Sequence, residues 1–332
     1  MGLFSMKINW LSYSTLVAMA LTLSSCDDSK NAKNVISQRY IHKYGYDVSK
    51  DEWKAQQYPG QVLTTMRDGK TITESFEDGE LHGIRTETYP HSQTIKIMEQ
   101  YERGRITKRV AYSIRGVPET EELYKTDAHL LVTSWYPKGT PKSKEEYKDN
   151  VLINGWYYNA ANETDTRIEN GTGEKTVRNQ NGDLLSKEVY NNYQINYVET
   201  YYPNNTPCTT ASYEGGKVSG EKKHFSMTGE PIYVEQYLNG FKHGVCTYYQ
   251  NGYKYLEVPF AYGIRDGVEK HYIDGETISE ETEYKNGIKH GPSVIYCDGS
   301  ARTTWYFENE KVSRPKYERL VQHLEAIMTA QR

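Results

Sequence analysis

The chain has 332 residues, a formal net charge of −4 and no basic stripe, which argues against a nucleic-acid partner. Tyrosine occurs 31 times against 6 phenylalanines; a ring that packs while its hydroxyl stays wet suits a thin sheet better than a deep core. At roughly 150 residues per domain the length allows two domains, but an internal repeat replaces that count, because a repeat array grows by adding units rather than cores.

Residues 1–25 read as a signal peptide. Lys7 precedes the apolar run Leu16-Val-Ala-Met-Ala-Leu-Thr-Leu23, which is too short for a membrane span. The run ends in Leu23-Ser24-Ser25-Cys26, ahead of Asp27-Asp28. That ending resembles the lipobox of bacterial lipoproteins, and the resemblance implies cleavage before Cys26 with lipid (palmitate-type acyl chains) on its sulfur and amine. An ordinary cleaved signal, or an uncleaved anchor with an incidental cysteine, is the alternative. At about 0.8 kcal/mol per buried CH2, several acyl chains anchor a protein durably. Localisation would then be a bacterial membrane or envelope, on the exported side. Residues 26–60 follow as the lipidated cysteine, a polar tether without periodicity over 27–45, and an N-terminal cap that includes Trp53 and Tyr58-Pro59-Gly60.

The repeat is plainest at Tyr237-Leu-Asn-Gly240-Phe-Lys-His-Gly244, Phe260-Ala-Tyr-Gly263-Ile-Arg-Asp-Gly267 and Tyr284-Lys-Asn-Gly287-Ile-Lys-His-Gly291. Its first half also stands at Phe76-Glu-Asp-Gly79-Glu-Leu-His-Gly83 and Tyr213-Glu-Gly-Gly216-Lys-Val-Ser-Gly220. Asn-Gly and Asp-Gly supply the positive φ angles of tight hairpin turns, and the flanks alternate with β-prone residues. A second turn recurs at Asn181-Gly182, Asn251-Gly252, Asp274-Gly275 and Asp298-Gly299. Each unit is therefore two short antiparallel strands that need neighbours to bury a face. An aromatic column, Phe76, Tyr101, Tyr124, Tyr147, Tyr190, Tyr213, Tyr237, Phe260, Tyr284 and Phe307, keeps a spacing of 23–25 apart from one double step, where Ile168 stands midway. About eleven units fill residues 61–312, with the second glycine mostly missing between 101 and 205. Residues 313–332 carry Tyr317, Leu320, Val321, Leu324 and Ile327 at helical spacing after Ser313. The expected fold is all-β: an elongated antiparallel β-hairpin repeat array with a C-terminal amphipathic helix that covers the last edge.

These units resemble MORN repeats, in the bacterial variant of proteins classed as YwqK-family antitoxins of toxin–antitoxin systems. The match is best over 237–252 and 284–299. The resemblance implies an extended β array that acts as a scaffold or binds proteins and lipids, and the class label implies an antitoxin or immunity-type protein neutralising a toxin. A third reading is a glycan- or peptidoglycan-binding surface, since exposed tyrosine rings stack on sugars.

Other patterns have simpler accounts beside the sharper ones. Glutamate stands two residues before the aromatic at Glu74, Glu99, Glu122, Glu145, Glu188 and Glu235, on the same strand face. A carboxylate row for cations or a basic partner is one reading; cross-strand pairing with Lys222, Lys108 or Arg85 is the favoured one. His82, His243 and His290 share the slot before the second glycine. Equivalent positions two units apart lie ~19 Å apart, so turn polarity accounts for them better than a metal. Cys208, Cys246 and Cys297 are too widely separated for a disulfide framework. No motif supports a catalytic site, a metal or a cofactor, so the chain reads as a non-enzymatic binding or scaffolding module with an unidentified protein partner. The degenerate units between 101 and 205, with Trp135 and Trp156, are the expected place of specialised contacts.

Overall fold

The computed structural model describes residues 34–330, so the signal peptide and Cys26 lie outside the described residues. The chain divides into two compact units, before and after the Asn170–Gly171 bond. In each, antiparallel hairpins follow one another in chain order, each pairing with the next, as the hairpin-repeat expectation requires. The fold is all-β, with the helix Arg314–Ala330 at its C-terminal end.

The first unit begins earlier than the sequence reading placed it. Val35–His42 is a strand, not tether, and it pairs with Gly60–Met66. Half of its side chains are exposed and its partner stands beyond an inserted helix, so no short-range turn signal announces the pairing. The insert is helix α1, Lys50–Gln56, opened by Ser49, whose hydroxyl accepts from the Glu52 N–H at 3.3 Å. α1 buries Trp53 against Tyr40 and Phe76, at ring separations of 5.7 and 6.1 Å.

The two lateral edges use different turns. Along one edge two consecutive left-handed residues close most hairpins, as at Asp78-Gly79 and Arg103-Gly104 in the first unit. In the second unit the corresponding turns are Gly215-Gly216, Asn239-Gly240, Tyr262-Gly263 and Asn286-Gly287. This is the type I′ geometry whose twist matches the strands. These turns also hold one another: the Gly240, Gly263 and Gly287 N–H groups donate to the carbonyls of Val218, Lys242 and Arg265 in the preceding hairpin, at 2.7–2.8 Å. At the other edge Asn251-Gly252 and Asp298-Gly299 are again two-residue left-handed turns, but most loops are longer. Ser226 N–H donates to Glu230 O and Gly229 N–H to Ser226 O, and Ser113/Gly116/Val117 and Asn179/Gly182/Asp183 repeat the arrangement.

The second glycine of each unit faces the aromatic of the next: Gly83 opposes Tyr101, Gly220 opposes Tyr237, Gly244 opposes Phe260 and Gly267 opposes Tyr284. Gly244 has φ +96, and a Cβ there would stand 3.4 Å from that of Gln236. Gly291 opposes Tyr306, one residue short of Phe307, because its hairpin pairs without the register shift seen in the others. In the stretch where this glycine looked lost, Gly155 opposes Ile168 and Gly173 opposes Tyr190. The column itself is half-buried rather than buried, Tyr190 excepted.

Helix α2, Arg314–Ala330, meets the sheet only through its first turns. Tyr317 packs on Trp305 at 5.0 Å and on His290 at 5.7 Å, whereas Leu324, Ile327 and Met328 are exposed. No helix among the described residues is long and apolar enough to cross a membrane.

Candidate binding faces

Strand alternation gives each unit two faces with separate chemistry. In the first unit, the face of the aromatic column carries a ladder straight across successive strands. Arg85 faces Glu99, Glu99 faces Arg109 and Arg109 faces Glu122. Arg85 Nε donates to Glu74 at 3.2 Å and its Nη1 to Glu99 at 2.8 Å, while Arg109 Nε lies 3.6 Å from Glu99. Burial works against the Arg85 charge, but Glu99 and Glu74 outweigh it and hold the guanidinium protonated more firmly than usual.

The glutamate two residues before each tyrosine has a partner the sequence reading missed, the tyrosine itself. Tyr101, Tyr124 and Tyr147 donate to Glu99, Glu122 and Glu145 at 3.2, 2.6 and 3.0 Å. In the second unit Tyr190 and Tyr237 donate to Glu188 and Glu235 at 3.0 and 2.9 Å. Phe76 has no hydroxyl to give, and Glu74 takes its donor from Arg85 instead. At Phe260 the residue two before is the apolar Val258, and at Tyr213 it is Ala211.

Of the three cross-strand cations expected, Arg85 bonds the row as expected and two do not. Lys108 pairs with Glu121 at 2.7 Å, on the opposite face, because it stands one residue out of step with Arg109 and the pleat turns it away. Lys222 faces Glu235 in register but its ammonium lies 5.9 Å over the Tyr237 ring. Glu235 is taken by Lys242, which also donates to the Tyr248 hydroxyl at 3.0 Å, while Tyr248 donates to Glu235 at 3.2 Å. Burial disfavours the Lys242 charge, yet the bonds to Glu235 and Tyr248 prevail and raise its pKa. Glu235 is only 6% exposed, so these three donors satisfy a carboxylate that water scarcely reaches.

The slot before the second glycine serves the next turn. His82 Nδ1 accepts the Arg103 N–H and His243 Nδ1 the Tyr262 N–H, each at 3.4 Å. Asp266 and Asn154 accept from Asn286 and Asn170 in the same way, at 3.2 and 3.0 Å. His290 lies against Phe307 and Tyr317. No cluster of His, Cys, Asp and Glu fit to hold a metal occurs among the described residues. Cys208, Cys246 and Cys297 are free thiols, half-buried, buried and exposed respectively.

A second recurring contact ties a tyrosine to the hairpin after it. Tyr89, Tyr136 and Tyr202 donate to the carbonyls of Tyr112, Tyr158 and Phe225 in the following hairpin, at 2.7, 2.8 and 2.8 Å. Each of them precedes a proline, and that recurring Tyr-Pro was the available signal.

On the opposite face of the first unit, one row reads Val110, Glu121, Thr133, Lys144, Trp156 and Arg167, each in register with the next. Trp135 stands two residues beyond Thr133 on that face. Both tryptophans singled out from the sequence thus share one side of the sheet.

No protein-family model matches the chain, and a search of curated proteins finds no match. Among solved structures, the chain is similar to the crystal structure of BamB from Moraxella catarrhalis, with 11% sequence identity over 75% of this chain and 82% of that chain. The TM-score of that comparison is 0.15, which carries no argument.

Proposed function

We propose that the chain is a lipid-anchored binding or scaffolding module, held on the exported side of a bacterial membrane through Cys26. The observation that carries this reading is the repetition of one chemistry from strand to strand, with glutamate, tyrosine and a cation recurring along a face instead of converging on a point. Enzymes gather a few groups in a concave pocket. A repeated face suits a large or extended partner gripped weakly at many points. The resemblance to MORN repeats supports the same reading, and the lipobox-like Leu23-Ser24-Ser25-Cys26 supports the anchor.

The test is cross-linking in native membranes followed by capture of the full-length protein. One envelope protein should be enriched reproducibly, and Cys26→Ala should release the chain from the membrane and lower that yield. Membrane retention of Cys26→Ala would overturn the anchor. Capture of no reproducible partner, with the wild-type chain correctly in the membrane, would overturn the scaffolding role.

A further inference from the structure

Four tryptophans fall within the described residues, and they divide into two kinds. Trp53 is buried against Tyr40 and Phe76, and Trp305 is covered by Tyr317 and by the Arg314 guanidinium at 5.6 Å. Trp135 and Trp156 are otherwise. Among the described residues neither indole packs on another ring or lies under a cation, and neither N–H has a protein acceptor. An indole N–H normally finds a partner when its ring is covered.

Trp156 has charged neighbours, and Trp135 faces Pro141. Trp156, 36% exposed, sits between Lys144 and Arg167, each directly across from it on a neighbouring strand. Thr133 lies beyond Lys144 in the same row, and Trp135 follows it by two residues. Two strands at ~4.8 Å and two residues at ~3.3 Å place the two tryptophan backbones about 12 Å apart. Arg167 has Glu169 at 3.3 Å, in an exposed pair of small worth. Lys144 has no carboxylate within ion-pair distance among the described residues.

We propose that this face binds an acidic polysaccharide. The C–H faces of two sugar residues stack on Trp135 and Trp156, and a carboxylate or phosphate on the chain lies between Lys144 and Arg167. The separation of the indoles makes the ligand an oligosaccharide, since one ring cannot cover both. A protein partner fits less well. Tryptophan hot spots in protein interfaces sit inside an apolar surround that excludes water, whereas here Trp156 is flanked by Lys144 and Arg167, with Thr133 next in the row, and of these neighbours only Pro141, across from Trp135, is apolar. This proposal rests on the reading of the chain as a binding module and names one class of ligand for it.

The test uses the full-length protein in detergent, with oligogalacturonides of increasing length as the acidic probe and dextran oligomers as the neutral one, followed by tryptophan fluorescence and calorimetry. Binding of the acidic series should strengthen with length. Trp156→Ala and Trp135→Ala should each weaken it about tenfold with an unchanged circular dichroism spectrum. The pair Lys144→Gln and Arg167→Gln should weaken it comparably and erase the preference over dextran. No binding of either series by the wild type, or binding that survives loss of both tryptophans, overturns the proposal. Membrane cross-linking of the Trp135→Ala, Trp156→Ala double variant separates the two readings. A retained protein partner beside lost sugar binding is the expected result. A lost protein partner without any sugar binding makes this a protein-docking face and overturns the glycan assignment, leaving the scaffolding role intact.

Discussion

The Tyr237 hydroxyl donates to the Glu235 carboxylate two residues earlier on its own strand, at 2.9 Å, while Lys242 and Tyr248 occupy the other carboxylate oxygen. Removing the acid leaves a half-covered ammonium without its counter-charge. Glu235→Ala should therefore cost about 2 kcal/mol, less than the ~3–5 of a fully buried pair because Lys242 keeps part of its side chain in water. Tyr237→Phe should cost about 1.5 kcal/mol, one hydrogen bond to a charged group. Repeat arrays open locally, so amide exchange of the strand Pro231–Leu238 is the appropriate measurement.

Alkaline pH should loosen tyrosine–glutamate bonds of this kind, one of which Tyr201 makes to Glu199 at 2.7 Å. Burial first, and then the bond to the neighbouring glutamate, raises the phenol pKa of Tyr124, Tyr201 and Tyr237. A phenol with a raised folded pKa lends stability that is complete below its unfolded value of about 10 and is lost as pH climbs toward the folded one. Thermal stability should hold to about pH 10 and fall above it. The triple change to phenylalanine at these three positions should flatten that fall, and tyrosinate absorbance should follow it.

The glycine that faces each aromatic admits little else. Gly244→Ala forces a side chain into positive φ beside Gln236 and should cost about 1–2 kcal/mol. The residue before it is more tolerant. His243→Asn keeps an acceptor for the Tyr262 N–H, as Asn154 does for Asn170, and should be nearly neutral. His243→Leu should cost about 0.5–1 kcal/mol and speed amide exchange at Tyr262.

The distal half of α2 should be dispensable for the folded state. Leu324, Ile327 and Met328 are exposed, so changing all three to glutamine should shift stability by less than about 0.5 kcal/mol each. Tyr317→Ala should do more, through lost packing on Trp305 and His290. Thermal melts of the two variants separate the cases.

The array was legible because its signals are local: an Asn-Gly or Asp-Gly closes a hairpin from within four residues, and the 23–25 spacing repeats it. What stayed hidden depends on register. The Glu235–Lys242 pair forms across the irregularity at His243, which breaks the strand between Phe241–Lys242 and Gly244–Gln250. The strand Val35–His42 meets a partner on the far side of α1. Trp135 and Trp156 were visible as residues, but their shared face follows only once Thr133, Lys144 and Trp156 are aligned. The tyrosine–glutamate bonds needed no tertiary knowledge, since positions i and i+2 always share a face.

The tight turns at Gly240, Gly263 and Gly287 each lean on the turn before, and Gly220, Gly244 and Gly267 each face the next aromatic. Excising the 23 residues that follow Tyr237, through Phe260, would join Tyr237 to Ala261-Tyr262-Gly263 and regenerate a complete motif. Genetic slippage by whole periods is therefore nearly silent for the scaffold, whereas slippage by a fraction of a period breaks it. Copy number becomes the heritable variable by which such a protein changes its reach, one hairpin pair at a time.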